Sequence, residues 1–210
     1  MLTRFNEIIR RHLTENIWLY CIMVFFFVLG VCLGALAVNN VSVDAKNELR
    51  SYMEGFLNIT ESEGIYAADI LKQSVIFNFI TIIVIFFFGM TYFGIAVIPI
   101  IAGFRGFCIG FTVAFLTESF SRGGYLLSLV SILPQNIIYI PVLIILCVCS
   151  LCLSLNVLRN RYIRKYNQLS GFIMPYSITM VVLFGAMLAG SLIESYLTPF
   201  IIRFVIPYVT

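Results

Sequence analysis

The chain is 210 residues long, 61% hydrophobic and only 11% charged, with a mean hydropathy of +1.03, which excludes an ordinary soluble domain. Its apolar residues run continuously instead of alternating, which argues against a transmembrane barrel. The net charge of +3 is carried by residues that flank apolar runs, so it gives no case for nucleic acid. The composition is that of one integral membrane domain, residues 1–210, all-α and polytopic, because a helix needs about 20 apolar residues to cross a bilayer and several runs reach that length.

Residues 1–15 place Leu2, Phe5, Ile8, Ile9 and Leu13 at helical spacing, with Arg4, Glu7, Arg10 and Arg11 mostly on the other side. That is the pattern of an interfacial N-terminal helix lying in the headgroup layer. A cytoplasmic flank that only orients the first span accounts for it equally well. Helix one is predicted over Ile17 to Val38, with Trp18 and Tyr20 at the interface. The run is too long, and its start too weakly basic, for a signal peptide. Gly30 and Gly34 give it a smooth face, expected to pack within the bundle rather than in a dimer.

Residues 39–73 form the one extended polar segment, acidic overall, and are expected to be an extracytoplasmic loop. Within it Leu49, Tyr52, Met53, Phe56 and Leu57 recur at three and four, so an amphipathic helix follows Asp44. Such a helix covers the bundle or docks another protein; covering is the favoured reading. From Ser74 to Phe104 there is no charge, far more than one crossing needs. Gly89, Gly94 and Pro99 offer the breaks, giving helix two over about Val75 to Thr91 and helix three over about Gly94 to Thr117. Arg105 then lies inside the membrane and requires a partner in the bundle, with Glu194 or the Gln135 side-chain oxygen as candidates. A later turn would instead leave Arg105 at the cytoplasmic surface. Gly103, Gly106 and Gly110 form another close-packing face.

After a short polar loop, Glu118 to Gly124, the uncharged run Tyr125 to Asn156 is again too long for one crossing, and Pro134 and Pro141 interrupt it. The expected arrangement is a short re-entrant or interfacial helix over Tyr125 to Ile132, a joint at the polar island Leu133-Pro134-Gln135-Asn136, and helix four over Ile137 to Val157. In that reading Gln135 and Asn136 bond backbone freed at the proline. Arg159, Arg161, Arg164 and Lys165 mark a cytoplasmic loop. Helix five runs from about Ile173 to Ile193, with Gly185, Ala186, Ala189 and Gly190 on a small-residue face, and ends at Glu194 ahead of Tyr196, Thr198 and Pro199. The tail from Phe200 is expected to lie against the membrane.

About five transmembrane helices with a cytoplasmic N-terminus put Arg4, Arg10, Arg11, Arg105, Arg159, Arg161, Arg164 and Lys165 inside, against Lys46, Arg50, Lys72, Arg122 and Arg203 outside. Eight against five agrees with the positive-inside tendency.

No nucleophile with a base, paired carboxylates, phosphate loop or metal set appears, so no catalytic residue, cofactor or metal is expected. Glu118 and Glu194 are read as helix-end carboxylates. The six cysteines lie in apolar runs as small hydrophobes, and Cys147, Cys149 and Cys152 lack His or carboxylate neighbours for a metal. Transport is the rival reading, because broken helices and a buried ionisable residue mark substrate pathways. A homo-oligomer would then supply the bulk that five helices lack.

Three fragments in order carry a resemblance: Gly106-Phe107-Cys108-Ile109-Gly110-Phe111-Thr112-Val113-Ala114-Phe115-Leu116, then Ser131-Ile132-Leu133-Pro134-Gln135-Asn136-Ile137, then Glu194-Ser195-Tyr196-Leu197-Thr198-Pro199. With Arg11-His12-Leu13 and Asn39-Asn40, they closely resemble the stage II sporulation protein M family over nearly the whole chain. In the wider set of related membrane proteins the island looks more often like Pro-His-Gly with a Glu a few residues on, so Gln135 and Asn136 point to the sporulation branch. The resemblance implies a multi-pass protein of the mother-cell membrane at the sporulation septum in an endospore-forming bacterium. It implies a non-enzymatic scaffold that recruits two peptidoglycan-degrading partners, stage II sporulation proteins D and P, during forespore engulfment. Arg105, Gly106, Gly110, Pro134, Gln135, Asn136, Glu194 and Pro199 are the structural or partner-binding candidates.

Overall fold

The computed structural model describes residues 14–62, 67–163 and 170–205, and among them every regular element is helical. Among the described residues, five helices are long and apolar enough to cross a membrane. They are α1 (Ile17–Ala37), α3 (Ala67–Gly89), α4 (Gly94–Ser119), α5 (Ser121–Ile163) and α6 (Ser170–Leu192); α2 (Val43–Ser62) follows α1, and α7 (Thr198–Val205) ends the described chain. The expected helix at residues 1–15 falls almost wholly outside the described residues, as do residues 164–169 of the basic loop and the tail beyond Val205.

Chain order gives the bundle two ends. One carries α2, the α4–α5 junction and α7; the other carries Asn16, the Gly89–Gly94 turn and the α5–α6 connection. The α1–α4 seam is the tightest. A Cβ on Gly30 would overlap the carbonyl oxygen of Gly103, one on Gly34 that of Phe107, one on Gly106 that of Phe27, and one on Gly110 that of Val31. The pairs ascend together, so the two helices run parallel with backbone against backbone, which is how membrane helices gain dispersion contacts when lipid offers no hydrophobic drive. Gly30 and Gly34 therefore pack within the bundle, as expected. Gly106 and Gly110 belong to that seam and face away from any cavity.

The predicted break at the polar island is not a break. The separate re-entrant or interfacial helix before the fourth span is corrected: α5 runs unbroken for 43 residues with Pro134 and Pro141 inside it. A proline cannot donate to the carbonyl four residues back, and its ring forces the preceding turn open. Here the Gln135 Nε2 donates to the Ser131 carbonyl at 2.5 Å and the Asn136 Nδ2 to the Ile132 carbonyl at 2.7 Å. These amides bond the carbonyls next to the one that Pro134 leaves without its N–H partner, that of Val130, so they do not replace the lost bond as expected, and the helix continues past the bilayer's thickness all the same.

At the α2 end, Ser42 caps α2 through its hydroxyl, with the Ala45 N–H donating at 3.4 Å. The Lys46 Nζ donates to Glu118 Oε1 at 2.7 Å, and Met53 rests on Leu116, Leu127 and Ile202. The amphipathic helix thus covers the bundle. At the other end a solid core of Ile85, Ile98, Ala102, Leu146, Cys147 and Val148, each fully buried, fills the space between α3, α4 and α5. Tyr176 joins it through a 2.9 Å hydrogen bond with Ser150.

Candidate functional site: a polar cavity in the membrane bundle

Polar side chains in a lipid-facing fold must satisfy one another, because hydrocarbon gives them no partner. In α3, Ser74, Asn78 and Thr81 stand four and three residues apart and so share one helical face. They meet Arg105 of α4, Gln135, Asn136 and Tyr139 of α5, and Ser191 and Glu194 at the end of α6. All of these but Thr81 and Ser191 line a cavity of about 660 Å³ whose other walls include Phe77, Ile109, Leu143 and Met187.

Arg105 lies eleven residues, roughly 16 Å, in from the Gly94 end of α4, well within the apolar zone. Its Nη2 donates to Thr81 Oγ1 at 2.7 Å and to Asn78 Oδ1 at 3.4 Å, and the guanidinium carbon sits 4.3 Å from the Phe77 ring centroid. The expected intrabundle partner exists, but it is neither Glu194 nor Gln135. Both were nearer in character, since a charge or an amide oxygen suits a guanidinium; the α3 register instead delivers Thr81 and Asn78 first. With Arg105 inside the bundle, it also drops out of the loop charge count.

Glu194 occupies a π-turn, Ile193–Leu197, set between α6 and α7. Such one-turn insertions are common at functional sites; here the turn directly precedes Pro199, which cannot donate to a carbonyl of the turn before it. The Ser74 hydroxyl donates to Glu194 Oε2 at 2.5 Å and the Tyr139 hydroxyl at 2.8 Å. Gly190 leaves room for the Tyr139 ring, where a Cβ would collide with it. Ser191 Oγ accepts from Asn78 Nδ2 at 3.2 Å and lies 3.1 Å from Ser74. Arg105 and Glu194 are therefore joined only through neutral groups: Asn78, then Ser191 and Ser74. The Thr198 hydroxyl donates to Gln135 Oε1 at 3.1 Å, which ties the π-turn to the island.

Of the residues singled out from sequence, Arg105, Gln135, Asn136, Glu194 and Pro199 line this cavity, while Gly106, Gly110 and Pro134 do not. Ser74, Asn78, Thr81, Tyr139 and Ser191 were missed. The helical spacing of Ser74, Asn78 and Thr81 in an otherwise apolar run was the available signal. All cavity-lining residues sit on the α2 side of the Leu143 and Met187 level, and the buried core closes the rest. A continuous polar path across the membrane, required by the transport reading, is absent among the described residues. So is any cluster of three His, Cys, Asp or Glu that would hold a metal.

The three fragments that carried the resemblance converge here. Cys108, Ile109, Thr112 and Leu116 come from the first, Ser131, Ile132, Gln135 and Asn136 from the second, and Glu194, Thr198 and Pro199 from the third. A family model described as stage II sporulation protein M matches residues 23–199, which takes in most of α1 and all the spans after it. No curated protein and no solved structure matches the chain.

Proposed function

The chain belongs to the stage II sporulation protein M family, and on that footing we propose that it is a non-enzymatic scaffold of endospore formation. It recruits the peptidoglycan-degrading stage II sporulation proteins D and P to the septal membrane during engulfment. In this reading the α2 end faces away from the cytoplasm, where the wall is, and the N-terminus lies inside. The supporting charge pattern is the pair Arg159 and Arg161 in the last turns of α5, at the opposite end, in a sequence that continues with Arg164 and Lys165.

The observation that carries the proposal is the posture of α2. One face is fixed to the bundle by Lys46 and Met53, while Tyr52, about a quarter-turn round from Met53, is 78% exposed and Leu49, between them, is 41% exposed. An aromatic on a helix already immobilised by its own fold is a good anchor for a partner, since little ordering cost remains at binding. Co-purification from sporulating cells tests it. Tyr52→Ala is expected to lower recovery of the hydrolases about ten-fold at unchanged bait recovery, the scale of one interface anchor; undiminished recovery would exclude α2 as the docking element.

A further inference from the structure

The cavity holds two opposite charges that the fold keeps apart. Arg105 is bound by Thr81, Asn78 and the face of Phe77; Glu194 is bound by the hydroxyls of Ser74 and Tyr139. Among the described residues neither makes an ion pair. An arginine stays charged under all ordinary conditions, and a lone charge at this depth is costly, so its presence marks a site by default. Each charge is held by neutral groups of limited reach, which stops the two from collapsing onto each other. The arrangement suits a ligand that brings one anion and one cation.

The surroundings decide where that ligand comes from. Toward the α2 end the cavity is plugged by Met53, Leu116, Leu127 and Ile202, of which the last three are buried. Phe77 of α3 and Cys108 of α4 both line the cavity, yet Phe77 is 54% exposed and Cys108 is exposed as well. The α3–α4 seam therefore opens the cavity sideways, at a level where the bundle's outer surface is apolar. A cavity of this volume with apolar walls and a few convergent polar groups has the ordinary character of a small-molecule site.

We propose that this cavity binds a membrane phospholipid with a zwitterionic, primary-ammonium headgroup, its phosphate at Arg105 and its ammonium at Glu194. The lipid arrives through the α3–α4 seam, and its alkyl part lies against Phe77 and the outer faces of those helices. Guanidinium–phosphate and carboxylate–ammonium contacts are both charge-assisted and gain strength away from water.

Native mass spectrometry of the full chain in detergent, titrated with dioleoyl phosphatidylethanolamine or dioleoyl phosphatidylglycerol, tests this. Phosphatidylethanolamine adducts are expected at about ten-fold lower lipid concentration, the worth of one charge-assisted contact. Glu194→Gln is expected to erase that preference while leaving adducts of both lipids, and Arg105→Gln to weaken both. Equal adduct formation by the two lipids on the wild-type chain overturns the proposal, whether or not the Arg105 variant folds. Displacement of the adduct by soluble glycerophosphoethanolamine at the same concentration as the lipid also overturns it, because the ligand then comes from water.

Discussion

Gly106 and Gly185 look alike in the sequence, each on a small-residue face of an apolar helix, and the structure separates them completely. A side chain at Gly106 would drive into the Phe27 carbonyl, whereas nothing lies within 4 Å of a Cβ at Gly185. Gly106→Leu is expected to cost at least ~2 kcal/mol, as overpacking against backbone does, and Gly185→Ala to be neutral or stabilising by up to ~1 kcal/mol; thermal unfolding in detergent distinguishes them. Tyr139 makes a second test at this scale. Removing its hydroxyl leaves Glu194 with one donor fewer in a half-buried network, so Tyr139→Phe is expected to destabilise by roughly 1–3 kcal/mol. In a Glu194→Gln background that loss should shrink, and equal losses in both backgrounds would show that the bond is energetically idle. Arg105 shows how far reading residues alone goes. That it needed a partner was legible from the uncharged run around it. Which partner was not, because Thr81 and Asn78 are 24 and 27 residues away and their approach depends on the rotation of α3 about its axis.

At the scale of elements, the spans were legible because lipid leaves the backbone no alternative to an uninterrupted helix. Their ends were less so. α3 begins at Ala67, well before the expected Val75, since the helix continues through the polar residues Asp69, Lys72 and Gln73 once it leaves the apolar zone. α5 is the instructive error. Length arithmetic demanded a joint, and two prolines offered one, but the helix holds both and passes straight through, its other backbone bonds on either side being kept. Asn136→Leu is expected to cost about 1 kcal/mol, the worth of the bond its amide gives to the Ile132 carbonyl; chemical unfolding in detergent measures it. The covering helix invites a milder test. Lys46→Glu should loosen α2 by about 0.5–1 kcal/mol, and Lys46→Glu with Glu118→Lys should recover it, read by hydrogen exchange in α2.

Taken whole, the bundle is asymmetric across its thickness: polar and hollow on the α2 side, filled with Ile85, Ile98, Leu146 and their neighbours on the other. A solute entering the hollow half meets a packed wall, so proteoliposomes are expected to show ion and small-solute leakage no greater than protein-free vesicles; flux well above that level would revive the transport reading. The α1–α4 seam carries a different kind of consequence, for biogenesis. Its glycines are separated by more than 70 residues of chain, from Gly30 to Gly103, and synthesis at about 5–20 residues per second takes several seconds to cover that distance. Throughout that interval α1 sits in the bilayer with its best surface unmet, because the two helices made next, the covering helix α2 and the span α3, do not supply a matching glycine face. Docking of α1 waits on the fourth helical element, and a ribosome pause before α4 would prolong the stage at which that glycine face is open to a wrong partner.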